Sequence, residues 1–146
     1  MQTIGIHYIF KPCYKPQGFF MLKKGFQFVE NHRKISFALA VFWTIIILYG
    51  VSLPGKELPK LNLFDHFDKV VHFTFFFVFF ILWKMVFSQQ EKSSRMIILI
   101  AIAIGFGIEW YQLNFVVGRS FDVWDGIFDS LGAVFGFLFY RYYLKV

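Results

Sequence analysis

Four apolar stretches, each close to 20 residues long, constrain this 146-residue chain more than any other feature. A helix needs about 20 such residues to cross the hydrocarbon core of a bilayer. Residues 35–53 carry no charge, and residues 70–87 are rich in Phe, with His72 near the start and Lys84 near the end. Residues 96–114 hold one acid, Glu109, and residues 123–140 hold Asp125 and Asp129 in their first turns. The runs are continuous rather than alternating, so they read as helices and not as barrel strands. Composition agrees, with 58% hydrophobic residues, 23 Phe and only 16% charged residues. A soluble domain carries about 25% charged residues, and a soluble chain of 17.3 kDa has too little interior to hide this much apolar bulk. Disorder and a soluble enzyme are both disfavoured. The single cysteine, Cys13, excludes an internal disulfide and says nothing of the redox compartment.

The links between the runs are short. Pro54-Gly55 ends the first, Pro59 keeps the next loop non-helical, residues 88–95 form a polar loop, and residues 115–122 form a tight loop with Gly118 and Arg119. Short links force antiparallel neighbours, so the expected fold is all-α: an integral membrane bundle of four transmembrane helices in up-down order. Residues 35–146 form this domain. Residues 1–34 read as a basic N-terminal tail with six Lys or Arg and one acid, Glu30. No small-residue cleavage site follows residues 4–10, so no signal peptide is expected. Met21-Leu22-Lys23-Lys24 looks like an alternative start, which would make residues 1–20 an upstream extension or poorly ordered tail. Residues 26–34 are expected to touch lipid head groups, as a short surface helix or a basic tail.

The net charge of +6 is distributed around the apolar runs, which is a membrane pattern and not a nucleic-acid one. The N-terminal segment, the 84–95 segment and the C-terminus share one side and carry eleven basic residues, against Lys56, Lys60, Lys69 and Arg119 on the other. Positive charge prefers the cytoplasm, so both termini are expected there. The outer ends of spans two, three and four then gather nearly all the polar residues: Asp68, Lys69, His72, Glu109, Gln112, Arg119, Asp122, Asp125 and Asp129. Asp68 and His72 are four apart, as are Asp125 and Asp129, so each pair shares a helix face. At 1.5 Å per residue, Glu109 and Asp129 lie roughly 8–9 Å inside their helix ends. An unpaired charge in the bilayer costs at least about 2.5–3.5 kcal/mol, and such residues mark functional sites by default. The acids therefore need Lys69, Arg119 or a protonated His72 as partners, or must share protons. The small residues Ala101, Ala103, Gly105 and Gly107 of span three and Gly132 and Gly136 of span four predict close packing of those two spans. The Phe-dense wall of span two reads as packing bulk or lipid-facing surface.

Asp68-Lys69-x-x-His72, Glu109-x-x-Gln112, Arg119 with Asp125 six residues on, and Gly132 with Gly136 together resemble the VanZ-like family over about residues 35–140. Members of that family are small integral membrane proteins of the bacterial envelope. The namesake is associated with resistance to the glycopeptide teicoplanin, which implies contact with envelope chemistry. The resemblance supplies no reaction. One position departs from it: four residues after Asp125 the family usually has Asn, and here stands Asp129. An amide donates as well as accepts, whereas a carboxylate donates only when protonated.

Other chemistry fits poorly. Asp122-x-x-Asp125-Gly126 opens like the CDP-alcohol phosphotransferase motif, but Asp129 and Ser130 stand where Ala and Arg belong, and no acid follows. His72, Glu109, Asp125 and Asp129 suit a divalent metal, yet Lys69 and Arg119 are expected to neutralise the same acids, so neither metal nor cofactor is expected. Ser120 and Ser130 sit in no nucleophile elbow, and no Gly-rich phosphate loop is present. Three readings remain. The first is a binding module whose outward pocket, formed by Asp68, Lys69, His72, Glu109, Gln112, Arg119, Asp125 and Asp129, takes an envelope lipid or glycolipid head group, or a membrane protein partner. The second is a membrane enzyme acting on a lipid-linked envelope intermediate, with Glu109 or Asp125 as acid or base. The third is a small proton-coupled transporter. The first accounts best for a mixed-charge pocket with Arg119 at its rim.

Overall fold

In a computed structural model, residues 17–54, 67–90 and 92–144 are described. They form five α-helices: α1 (Gln17–Asn31), α2 (Arg33–Ser52), α3 (Phe67–Val86), α4 (Ser93–Phe115) and α5 (Val123–Phe139). A π-helical turn over Tyr140–Leu144 extends α5. Gly55, Lys56, Pro59 and Lys60, to which the sequence assigns the first loop, lie outside the described residues, as do residues 1–16 of the expected tail.

The helix ends follow local chemistry. Leu53 adopts an extended conformation before Pro54 and closes α2. Gly118, at φ 78°, makes the left-handed turn between α4 and α5 that side chains with a Cβ disfavour. Asp122 then caps α5, its carboxylate accepting from the Trp124 amide at 2.9 Å.

Helices α2 to α5, the last with its π turn, are each long and apolar enough to span a membrane. Between 22% and 39% of each span is buried within the protein, so the rest requires an apolar surrounding. Phe42, Ile45 and Leu48 on α2 and Leu99, Trp110 and Leu113 on α4 point outward. The chain is an all-helical, multi-pass membrane bundle.

Inside, Phe76 and Phe80 of α3 are fully buried, so the Phe wall is largely packing. Helix α5 lies between α3 and α4, and the small residues divide between these neighbours. At Gly105 an added Cβ would come within 2.9 Å of Asp129 Cβ, which confirms a tight α4–α5 seam. Gly132 and Gly136 behave differently. A Cβ at Gly132 would collide with the Phe73 carbonyl oxygen, and one at Gly136 would sit 2.8 Å from the Phe77 carbonyl oxygen. These two glycines thus admit the backbone of α3, not α4 as their spacing suggested. Spacing reveals close approach but not the neighbour that approaches.

The described part of the basic N-terminal segment is largely helical. Helix α1 starts at Gln17, well before residue 26, and stops at Asn31. Phe26 and Val29 pack against the core. The Tyr140 hydroxyl donates to Glu30 at 2.9 Å, tying α1 to the far end of α5. Two tryptophans bind α2 to α3: Trp43 Nε1 donates to the Phe75 carbonyl at 3.0 Å, and Trp83 Nε1 donates to the Thr44 hydroxyl at 3.2 Å.

Candidate functional site: a polar cluster at one end of the bundle

The antiparallel order brings the start of α3, the end of α4 and the start of α5 to one end of the molecule. The ionisable residues of the three spans meet there. Lys69 is the hub of the rim. Its ammonium donates to Asp122 and to Asp125 at 2.9 Å each, and to Asp68 at 3.3 Å. The Lys69 side chain is only 12% exposed, while those of Asp68 and Asp122 are 58% and 37% exposed, so the rim faces outward. The Lys69 hydrogen bond holds the Asp122 carboxyl below the usual aspartate range, helped by the Trp124 amide.

Beneath the rim the cluster is buried. Glu109 and Asp129 are fully buried, and Asp125 and Gln112 are nearly so. His72 Nδ1 lies 3.0 Å from Asp129 Oδ1, a hydrogen bond that needs one proton, carried either as an N–H on the imidazole or as an O–H on the carboxyl. His72 Nε2 faces Asp125 Oδ2 at 3.7 Å, beyond hydrogen-bond range. Glu109 uses Oε2 to accept from the Asp122 amide at 3.0 Å, which fixes the α5 N-terminus on α4. Gln112 turns elsewhere, donating to the Val51 carbonyl at 3.1 Å. That carbonyl lies in the last turn of α2 and has no N–H donor within its own helix. Gln112 thus ties α2 to the site rather than joining the acids.

Asp68, Lys69, His72, Glu109, Asp125 and Asp129 are therefore brought together, with Gln112 at their back. Arg119 departs from expectation. It lies in the loop closing this end but makes no ion pair with any described acid, and its Nε is buried without a hydrogen-bond partner. The expected neutralisation of buried acids by Arg119 is absent among the described residues: Arg119 forms no ion pair with them. Glu109 Oε1 and Asp129 Oδ2 are likewise buried without a partner. Buried polar atoms are nearly always satisfied, so three orphans at one end of a small bundle set this region apart.

The sequence singled out most of the cluster but underused Asp122. Its signal was an Asp immediately before an apolar run, the pattern of a helix cap. In the structure Asp122 contacts Lys69, Glu109 and the α5 N-terminus together.

The opposite end carries a second polar region, an open cleft of about 950 Å³ lined by Glu30, Lys84, Arg95, Tyr140 and Arg141 among others. Lys84 is buried there and donates to the Phe87 and Gln90 carbonyls and to the Ser93 hydroxyl. These bonds cap the turn between α3 and α4, which gives Lys84 a structural role.

Among known proteins, the model of one family, described as VanZ/LLP1, matches residues 15–145. No curated protein and no solved structure matches the chain.

Proposed function

The chain belongs to the VanZ/LLP1 family, and from that premise we propose a binding module of the bacterial cell envelope whose polar pocket captures an envelope lipid or lipid-linked sugar head group. In this reading the protein sits in the cytoplasmic membrane with both termini inside, and the Lys69 rim opens on the outer face. The observation that carries the proposal is the set of unsatisfied buried atoms. Glu109 Oε1 and Asp129 Oδ2 are acceptors lacking a donor, and Arg119 Nε is a donor lacking an acceptor. A head group with a phosphate and several hydroxyl or amine donors supplies both kinds of partner. Leaving such atoms unpaired costs about 1–3 kcal/mol each, and a ligand that pairs them recovers that amount on binding. Capture of a lipid-linked envelope group is also the form in which a link to glycopeptide resistance would arise.

The test is native mass spectrometry of protein purified with bacterial envelope lipids. Wild-type protein is expected to retain a bound lipid that Glu109→Gln loses, while both variants insert and melt at similar temperatures. Gln keeps an oxygen for the Asp122 amide, so the seam between α4 and α5 is spared. Equal lipid retention with a lowered melting temperature in Glu109→Gln would make the cluster a structural clamp instead.

A further inference from the structure

Beneath the Lys69 rim, three residues of metal-ligating chemistry converge. One ligand atom from each of His72, Glu109 and Asp125 lies within 4.8 Å of the others. Each residue has its remaining polar atom committed elsewhere. His72 Nδ1 is held on Asp129, Glu109 Oε2 on the Asp122 amide, and Asp125 Oδ1 on the Lys69 ammonium. The atoms left over are His72 Nε2, Glu109 Oε1 and Asp125 Oδ2. Among the described residues none of the three takes part in a hydrogen bond, and Glu109 is fully buried.

We propose that His72 Nε2, Glu109 and Asp125 bind a divalent transition-metal ion, with Asp129 as the carboxylate that orients the histidine. An Nδ1–H donated to a carboxylate is the usual way a metal-ligating imidazole is fixed, leaving Nε2 as a bare lone pair. Here that lone pair faces a second acceptor, Asp125 Oδ2, at 3.7 Å. The contact is favourable only with a positive centre between the two atoms, either a proton on Nε2 or a bound cation, and loading with zinc or cobalt separates the two. Imidazole and carboxylate together suit zinc-class ions. Tetrahedral ligand bonds of about 2.0–2.2 Å put ligand atoms about 3.3–3.6 Å apart. The His72–Asp125 separation of 3.7 Å already matches, and the Glu109 atom, within 4.8 Å of both, closes the site by a side-chain shift of at most about 1.5 Å. Two carboxylates and a neutral imidazole also balance the charge of one divalent ion.

A second carboxylate group, Asp68, Asp122 and Asp125, meets the same distance criterion. It already holds a cation, since Lys69 bonds all three. The sequence-based expectation of no metal relied on Lys69 and Arg119 neutralising the buried acids. Lys69 is engaged at the rim and Arg119 pairs with none of them; Asp129 has His72 at 3.0 Å, and Glu109 lacks a cationic partner among the described residues.

The inference rests on the same pocket as the proposed function but not on its ligand, so the two fail separately. The experiment uses untagged full-length protein carrying Cys13→Ser, loaded in detergent with Zn²⁺ or Co²⁺ alone. Elemental analysis of the zinc form is expected to give about one ion per chain, and Co²⁺ to give the visible absorption bands of a bound, low-symmetry site. Glu109→Gln and His72→Ala should lose the ion. Asp68→Asn, in the competing group, should keep it. Asp129→Asn should bind about tenfold or more weakly, because its amide oxygen still accepts from Nδ1 but without charge. Wild-type protein with no stoichiometric zinc and an aqueous cobalt spectrum would overturn the site, and needs no variant to fold. Loss in Asp68→Asn with retention in Glu109→Gln would also overturn it. Metal retained without lipid capture would overturn only the head-group reading.

Discussion

At the scale of single residues, Asp122 shows how one side chain joins the rim. Its carboxylate accepts from Lys69 through Oδ2 and from the Trp124 amide through Oδ1. Replacing it with Asn keeps the helix cap and removes only the charge. Because the folded protein holds this carboxyl below its ordinary range, its contribution to stability is complete above the unfolded value of about 3.9 and is lost as pH falls through the folded value. Asp122→Asn should therefore melt below wild type at neutral pH, and the gap should close toward about pH 2. A gap that stays constant over that range would assign the loss to the cap. The cluster was legible in the sequence because an ionisable residue in an apolar run is costly, which marked His72, Glu109, Asp125 and Asp129 without any structure. Helical spacing put Asp125 and Asp129 on one face. The pairing was not legible. Arg119 sits in the loop between α4 and α5, and loop geometry leaves no periodic trace from which its partners could be read.

At the scale of helices, the seams decide how tightly the cluster is held. Gly132 and Gly107 both lie in helix interiors, yet they face opposite circumstances. A Cβ at Gly132 would meet the α3 backbone at Phe73, which cannot swing away as a side chain can. Around Gly107 nothing lies within 4 Å. Gly132→Ala is thus expected to destabilise by about 1–3 kcal/mol through overpacking. Gly107→Ala should be neutral or stabilising by about 0.5–1 kcal/mol from helix propensity. Thermal melts of the two purified variants decide this, and equal melting temperatures would remove the α3–α5 close approach. The spans were legible from length and apolarity alone. Which spans touch was not, because a small-residue stripe fits any neighbouring backbone. Helix α1 was legible only in part: the sequence offered a surface helix but began it at residue 26, whereas α1 starts at Gln17, in turns whose tertiary neighbours leave no local signal.

At the scale of the whole molecule, the two ends are chemically opposite. One gathers Asp68, Asp122, Asp125, Asp129 and Glu109 around Lys69. The other gathers Lys84, Arg95 and Arg141 around the Glu30–Tyr140 contact. Basic residues near span ends are retained on the cytoplasmic side during insertion, whereas acids contribute little to orientation. The basic end is therefore expected inside and the acidic cluster outside. A cysteine reports this directly. Val117 is 78% exposed in the loop between α4 and α5, and unlike its neighbour Gly118 it needs no left-handed backbone, so Val117→Cys should not strain the turn. In a Cys13→Ser background, a membrane-impermeant maleimide added to intact cells should label this position at once. A pocket that opens outward can meet lipid-linked sugars and external antibiotics without a transport step. Labelling only after permeabilisation would reverse the orientation. The acidic cluster would then face the cytoplasm, and head groups confined to the outer leaflet could not be its ligands.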